Sequence, residues 1–385
     1  MAYRENSYNS YNSYNSYNSY NSYNSYNSYN SYGTESPVDA FALITNRDGI
    51  VSNTIDHITP PNPAPANDPN ALQRLTGGQQ TAVYISVLAP TLDVTAKTMG
   101  TTPQATVWRR GVMDAPGGAS YSEMLSMTAP GIDQLVEQMN YLAGYAQIRP
   151  DRSAEILTQL SLPIPFYRTI GYMDPTRTPH TMELLEVAVT FAFSVIQRIK
   201  FSLAVKRPIE FSPQVQPMIP TPTHASLPSG HATEAFLIAR ILWKLLRASE
   251  APQYNDHAYW GEMLMRQAAR IAVNRTVAGV HFPVDSAAGG LLGLTLAEHI
   301  HDIAAGGGWA SAEFDGPAFN GQLDFDWHSL YTPADDAIYR TIETKGYVWG
   351  KSKSHKGKGT PSALLNWLWT KAVAEWRDVP PSGEK

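Results

Sequence analysis

Three separated runs between Lys200 and Asp285 constrain this chain more than any other feature: KFSLAVKRP at residues 200–208, PSGH at residues 228–231 and NRTVAGVHFPVD at residues 274–285. A fold that accommodates them has to gather cations, histidines and a helix N-terminus. Together these supply what a tetrahedral or trigonal-bipyramidal oxyanion needs.

Lys200 and Arg207 are seven residues apart. They lie in a segment, residues 182–206, whose apolar positions recur at helical spacing, which predicts that both cations share one helix face. Pro208 is expected to stop that helix, and the proline-rich stretch 211–228 to be an irregular connection, because proline lacks the backbone donor. Ser229 and Gly230 stand where residues 232–246 begin a second apolar helical pattern, so their hydroxyl and amide fall at a helix N-terminus with unpaired N–H groups. Gly230 permits close approach to the backbone, and His231 lands in the first turn, able to give or take a proton. In the third run Arg275 ends another amphipathic segment and Gly279 breaks it. His281 and Asp285 follow one helical turn apart, so the carboxylate can orient the imidazole, which can then serve as nucleophile or metal ligand.

In order and spacing the three runs resemble the superfamily that unites type 2 phosphatidic-acid phosphatases, bacterial non-specific acid phosphatases and vanadium-dependent haloperoxidases. Its pattern is Lys, six residues, Arg-Pro; then Pro-Ser-Gly-His; then Ser-Arg, five residues, His, three residues, Asp. Lys200, Arg207 and Pro208 match the first part, Pro228, Ser229, Gly230 and His231 the second, and Arg275, His281 and Asp285 the third. Asn274 departs from the pattern, standing where the family usually has serine. The resemblance implies a helical bundle of the vanadium haloperoxidase and acid phosphatase type, with long connecting loops, over much of residues 130–304. Few segments of this chain alternate strongly enough for strands, so a mainly α fold is also what the pattern predicts.

A pocket built for phosphate is also built for vanadate, and the resemblance leaves two branches open. As a phosphatase, His281 attacks phosphorus while His231 protonates the leaving alcohol, with Lys200, Arg207 and Arg275 stabilising the equatorial charge. As a haloperoxidase, orthovanadate is the cofactor and phosphate a competing occupant. The resemblance then implies that His281 binds vanadium and His231 manages protons at the opposite apex. Lys200, Arg207, Arg275, Ser229 and the Gly230 amide neutralise the oxygens, and Lys200 polarises hydrogen peroxide toward the halide. His224, seven residues before His231, is similar in place to a histidine of algal vanadium bromoperoxidases, where chloroperoxidases tend to have an aromatic residue. By that resemblance His224 tunes halide oxidation, and the RPIE run at 207–210 and the ATEAF run after His231 look like the same branch. The expected function is therefore a bromide-favouring vanadium haloperoxidase that makes hypohalous acid, with a soluble acid phosphatase as the alternative. Hydrogen peroxide, halide and an organic acceptor are the reaction partners implied, and since related soluble haloperoxidases often assemble, a homo-oligomer fits.

A third reading makes the pocket vestigial and the protein a non-catalytic assembly module acting through its tyrosine-rich tail. Lys200, Arg207, His231, Arg275 and His281 argue against it, because a fold alone demands no such convergent polar groups. Lys206 reads as a surface charge. His299, His301 and Asp302 read as surface residues of one helix, with the two histidines on different faces, rather than as a metal site.

The net charge of −5 over 385 residues argues against general nucleic-acid binding. The absence of cysteine removes disulfides and thiolate chemistry and suits an enzyme exposed to peroxide. The N-terminus lacks a charged region followed by an apolar stretch, so no secretory signal is expected. The longest apolar runs, 187–196 and 287–297, are too short to span a bilayer. A soluble, cytoplasmic protein is the expectation.

Four regions are predicted. Residues 6–32 are nine Asn-Ser-Tyr triplets that cannot bury a core, so the tail 1–32 is expected to be disordered in isolation. Residues 33–130 are an N-terminal arm with packing segments: extended to about residue 70, a short apolar segment at 82–90, and a helix or turn at 105–113 bearing Trp108. Residues 131–304 form the catalytic bundle, with a helix at 132–148 and others beginning at 182, 231, 259 and 283. Residues 305–385 are a C-terminal extension. It holds a flexible basic loop around Lys345, Lys351, Lys353, Lys356 and Lys358 and a tryptophan-rich closing helix at 364–376.

Overall fold

The computed structural model describes residues 37–50, 57–111, 120–331, 353–355 and 361–377. The Asn-Ser-Tyr repeat and most of the lysine-rich stretch lie outside the described residues. Contacts divide the chain into Met1–Ala82 and Val83–Lys385.

In the first unit, helix α1 (Pro37–Ile50) stands where an extended arm was expected. Its proline is at the first helical position, where the missing N–H costs nothing, and good helix formers follow. Helix α2 (Gly77–Leu88) comes next in the chain.

Residues 105–113 were expected to form a helix or turn; the structure makes them part of a sheet. Strands β1 (Leu92–Met99), β2 (Thr102–Arg110), β3 (Tyr121–Thr128), β4 (Trp309–Asp315) and β5 (Lys353–His355) lie in that order. All neighbours are antiparallel except β3 and β4. Gly100, at φ +61°, turns β1 into β2 in a conformation that a side chain would oppose. Alternation is hidden in β2 because Ala105, Thr106 and Val107 are buried in succession just before a register shift at Val107 and Trp108.

The remainder is helical, and the fold is mainly α. The helices are α3 (Ile132–Ala146), α4 (Arg149–Thr158), α5 (Ile164–Gly171), α6 (Pro179–Leu203), α7 (Pro208–Phe211) and α8 (Gly230–Ser249), then α9 (His257–Val277), α10 (Pro283–Ala305) and α11 (Ala363–Ala374). Helix α8 packs on α6, α9 and α10, and α10 in turn packs on α11 and β4. Nearly every residue of α10 is buried, apolar and polar alike. Two glycines bring α8 and α10 together. A Cβ on Gly289 would lie 2.5 Å from the Ser229 carbonyl oxygen, and one on Gly293 would lie 2.3 Å from the Thr233 carbonyl oxygen. Backbone therefore rests on backbone where the PSGH run begins its helix.

The burial of α10 overturns one expectation. His299 and Asp302 are buried rather than on the surface, and His301 is half-buried. His299 Nε2 pairs with the Thr91 hydroxyl at 2.7 Å and its ring stacks on Phe191. Asp302 pairs with Arg109 and accepts the Gly308 amide at 2.5 Å. The helix is covered by the sheet and by α11, elements that its own periodicity does not announce. Among the described residues no cluster of these groups could hold a metal ion.

Helix α6 corrects another. The apolar runs counted along the sequence looked too short for a bilayer, yet the most apolar window of Pro179–Phe211 has mean hydropathy 1.4, and the stretch is long and apolar enough to cross one. Half of its most apolar window is buried inside the protein, the mark of a core helix as well as of a span. Isolated polar residues such as Thr190 and Ser194 interrupt the run without interrupting the helix.

Candidate active site

The two cations of the first run do not share a helix. Lys200 lies in the last turn of α6, which ends at Ala204 in the left-handed conformation (φ 51°), and Arg207 is extended and caps α7, whose first residue is Pro208. Pro208 thus opens a short helix instead of stopping a long one, as its fixed φ favours. Both cations nevertheless reach one place. Lys200 Nζ donates to the carbonyls of Ala225 and Ser226, each at 2.8 Å. Arg207 donates from Nε to the His224 carbonyl at 3.0 Å and from Nη1 to the Val280 carbonyl at 2.7 Å. The proline-rich connection is thereby pinned against the third run.

Ser229 is the N-cap of α8, its side chain accepting from the Ala232 amide, and its own amide donates to the Asp285 carbonyl at 2.9 Å. That bond locks the start of α8 to the start of α10. His231, in the first turn of α8, donates from Nε2 to the Gln159 carbonyl at 2.9 Å. A carbonyl only accepts, so Nε2 carries the proton and Nδ1 is the basic nitrogen.

In the third run Gly279 takes φ +82°, and a Cβ there would come within 2.7 Å of Arg149 Nη2. Arg149 ties the segment down through the carbonyls of Val277, Gln216 and Val215 at 2.8, 2.7 and 3.0 Å. Ile156, Ile219, Val277, Ala278 and Val280 close beneath it as an apolar cluster. His281 follows on this pinned loop. Its Nδ1 donates to Asp285 Oδ2 at 2.9 Å, and the same oxygen accepts the Ser226 hydroxyl at 2.5 Å and the Phe282 amide at 3.0 Å. The lone pair of His281 is therefore on Nε2, 3.1 Å from Arg207 Nη1.

Lys200, Arg207, Ser229, Arg275, His281 and Asp285 are buried, while His224, Gly230 and His231 keep partial exposure. The first group is closed off from solvent and the second borders it. Among the described residues no carboxylate forms an ion pair with Lys200, Arg207 or Arg275. Arg275 donates from Nη2 to Gln159 Oε1 at 3.0 Å, but its Nε and Nη1 have no partner, and neither has Gln159 Nε2. Buried cations without carboxylate partners, one of them with unused donors, suit an anion.

The electrostatics agree. Burial, reinforced by the charge of Arg207, pushes Lys200 well below its ordinary value, and burial lowers Arg207 and Arg275 to about 10. Burial first, then Arg275, lowers His231 to about 3; burial, then Arg207, holds His281 well below the usual imidazole range. Burial raises Asp285, opposed by the Ser226 hydroxyl and the Phe282 amide. A site so crowded with positive charge disfavours any further proton until an anion arrives.

His224 is brought to the same place. Its Nδ1 accepts from Arg207 Nη2 at 3.0 Å, and burial followed by the Lys200 charge lowers it to about 4. Asn274, at the position that departs from the family pattern, donates to Gln159 Oε1 at 3.0 Å. It supports the residue that holds Arg275. Lys206 is exposed and pairs with Glu210 at 2.9 Å.

Sequence reasoning missed Ser226 and Gln159. Ser226 had a signal, a small polar residue between His224 and Ser229 in an irregular loop. Gln159 had none, because it comes from the end of α4, outside the three runs. The groove on the exposed face of the sheet, lined by residues such as Lys97, Trp108 and Glu123, contains none of these groups.

A transmembrane PAP2-type phosphatidylglycerolphosphate phosphatase from Bacillus subtilis is similar over 44% of this chain and 84% of its own, at 18% identity and a TM-score of 0.35. No curated protein matches the chain. Residues 183–305, the stretch that holds all three runs, match the model of the PAP2 superfamily.

Proposed function

We propose that this protein is a phosphate-ester hydrolase that uses His281 as nucleophile. The observation that carries the reading is the line from Asp285 through His281 to Arg207. The carboxylate fixes Nδ1–H, so the Nε2 lone pair faces Arg207 Nη1 at 3.1 Å, and Lys200 also acts on the ring.

The reaction runs in two steps. His281 Nε2 forms a bond to phosphorus as the ester P–O bond breaks, and protonated His231 gives its proton to the departing alcohol. Water then attacks the phosphohistidine and loses its proton to His231, the N–P bond breaks, and phosphate leaves. His231 resists protonation while the cations are unbalanced, and a bound dianion reverses that field. Lys200, Arg207, Arg275, Ser229 and the Gly230 amide supply the charge and donors for the equatorial oxygens.

The haloperoxidase reading stands second. The donor set fits vanadate: Nε2 of His281 for vanadium, and Lys200, Arg207 and the unused Nε and Nη1 of Arg275 for its oxygens. Bound vanadate supplies the activation of peroxide for halide oxidation. His224, which keeps partial exposure, favours this reading. However, its carbonyl and Nδ1 both accept from Arg207, so holding that guanidinium accounts for its place without a halide.

A soluble setting goes with the proposal, α6 serving as a core helix that packs on α8 and α11 and carries buried Lys200. The test is hydrolysis of an aryl phosphate beside bromide- and peroxide-dependent halogenation of a phenolic dye, each with and without orthovanadate. Hydrolysis that vanadate inhibits supports the hydrolase. Halogenation that requires vanadate and disappears in His281→Ala would replace it with the haloperoxidase.

A further inference from the structure

Three consecutive residues of the irregular connection hold three groups of the site. The His224 carbonyl and Nδ1 accept from Arg207, the Ala225 and Ser226 carbonyls accept from Lys200 Nζ, and the Ser226 hydroxyl donates to Asp285 Oδ2 at 2.5 Å. Ser226 uses every polar group it has. Its amide donates to the Val205 carbonyl at 2.8 Å, just past the end of α6, its carbonyl accepts from Lys200 Nζ at 2.8 Å, and its side chain reaches Asp285. It is fully buried, so bulk water does not compete for these bonds. Asp285 Oδ2 has two other donors, His281 Nδ1 and the Phe282 amide, and both belong to the same turn as Asp285 and move with it. Ser226, 59 residues away in the chain, is the donor that ties this carboxylate to another element. Asp285 Oδ1 is buried without a partner among the described residues, so nothing on that side restrains rotation of the carboxylate. Ser226 Oγ lies 3.5 Å from His281 Nδ1, too far to replace the carboxylate as its acceptor.

We propose that Ser226 is the positioning residue that sets His281 against the cations: its hydroxyl fixes the rotation of the Asp285 carboxylate, and through it the imidazole, while its carbonyl holds Lys200. The effect on turnover rests on the hydrolase reading; the effect on the His281 ring does not. Ser226 acts through Asp285 and Lys200 rather than on a reacting atom. Because the two contacts come from different atoms, one substitution separates them. Ser226→Ala deletes the hydroxyl and keeps the carbonyl. Asp285 is then left with the donors of its own turn, and His281 Nδ1–H loses an acceptor of fixed direction. Lys200 keeps both of its carbonyls, so the grip on an anion stays as it was.

The test compares the full chain with Ser226→Ala and Ser226→Thr, by aryl phosphate hydrolysis and by NMR of protein carrying nitrogen-labelled histidine. In Ser226→Ala, kcat is expected to fall by about 10–100-fold while KM stays within about threefold of the wild type. Ser226→Thr returns the hydroxyl and with it most of kcat. The Nδ1 proton of His281, assigned by its absence from His281→Ala, is expected as a sharp downfield resonance in the wild type and to broaden by exchange in Ser226→Ala. That second reading needs neither turnover nor the threonine variant. A resonance unchanged in Ser226→Ala overturns the proposal whether or not the enzyme turns over, and leaves the hydrolase reading to its own test. An unchanged kcat in an active enzyme also overturns it. So does a KM that rises as far as kcat falls, since Ser226 then serves the cations alone. A wild type that hydrolyses no aryl phosphate, with the resonance broadened in Ser226→Ala, overturns the hydrolase reading and supports the placement of Ser226.

Discussion

Asp285 Oδ2 accepts the Nδ1–H of His281 at 2.9 Å across the residues that turn a loop into a helix, while the Phe282 amide between them donates to the same oxygen. One carboxylate oxygen therefore starts α10 and fixes the tautomer of the candidate nucleophile. Asp285→Asn presents a poorer acceptor and permits the wrong tautomer. It is expected to lower kcat by about 10²–10⁴-fold with a smaller change in KM, as measured by steady-state hydrolysis of an aryl phosphate. An unchanged kcat would remove Asp285 from the chemistry.

Gln159 holds His231 through its backbone and Arg275 through its side chain. Gln159→Leu keeps the backbone acceptor and deletes the other, leaving Arg275 Nη2 short of a partner at a cost of about 1–3 kcal/mol. The expected result is a KM raised by about tenfold or more with kcat less affected. A fall in kcat at constant KM would instead assign Gln159 to the transition state.

How much of this was legible in the sequence depends on where each residue comes from. Lys200, Arg207, Ser229, His231, Arg275 and His281 converge as their order and residue types suggested, because each run carries its own local signal: a cation beside a proline, a cap before a helix, a glycine before a histidine. The path of the chain between them was less legible. Ala204 ends α6 without glycine or proline, so Arg207 was put on a helix it has already left. Gln159 and the burial of His299 depend on which distant elements pack together, which periodicity does not report. The sheet was missed because β2 buries three residues in succession, which hides its alternation, and because β4, which extends the sheet beyond β3, comes from far along the chain.

Gly293 meets the Thr233 carbonyl and the Leu237 amide with no room for a methyl group. Gly293→Ala must push α8 from α10, and the expected loss is about 1–3 kcal/mol. A lower midpoint of denaturant unfolding at an unchanged slope checks this. Because the displaced helix carries Ser229 and His231, activity should fall before the fold is lost.

Stability should depend on pH with a definite sign. His224, at about 4, and His231, at about 3, are held below their ordinary 6.5, so the unfolded chain binds protons that the native chain refuses. The contribution is fully present above pH 6.5 and is lost as pH falls through the window from 6.5 toward 4. Thermal unfolding across pH 7 to 4.5 is expected to show Tm falling, and the fall should be smaller in His224→Gln, which removes one of the refused protons. An equal slope in that variant would mean that His224 takes up its proton as readily in the native protein as in the unfolded chain.

The most direct test of the central claim is to quench the enzyme in alkali during turnover of an aryl phosphate and locate phosphate on its peptides by mass spectrometry. Acid-labile, alkali-stable phosphate on His281, accumulating as phenol is released, is the predicted result. Phosphate release with no label on His281, or vanadate-dependent bromination in a preparation that releases no phosphate, would contradict the account.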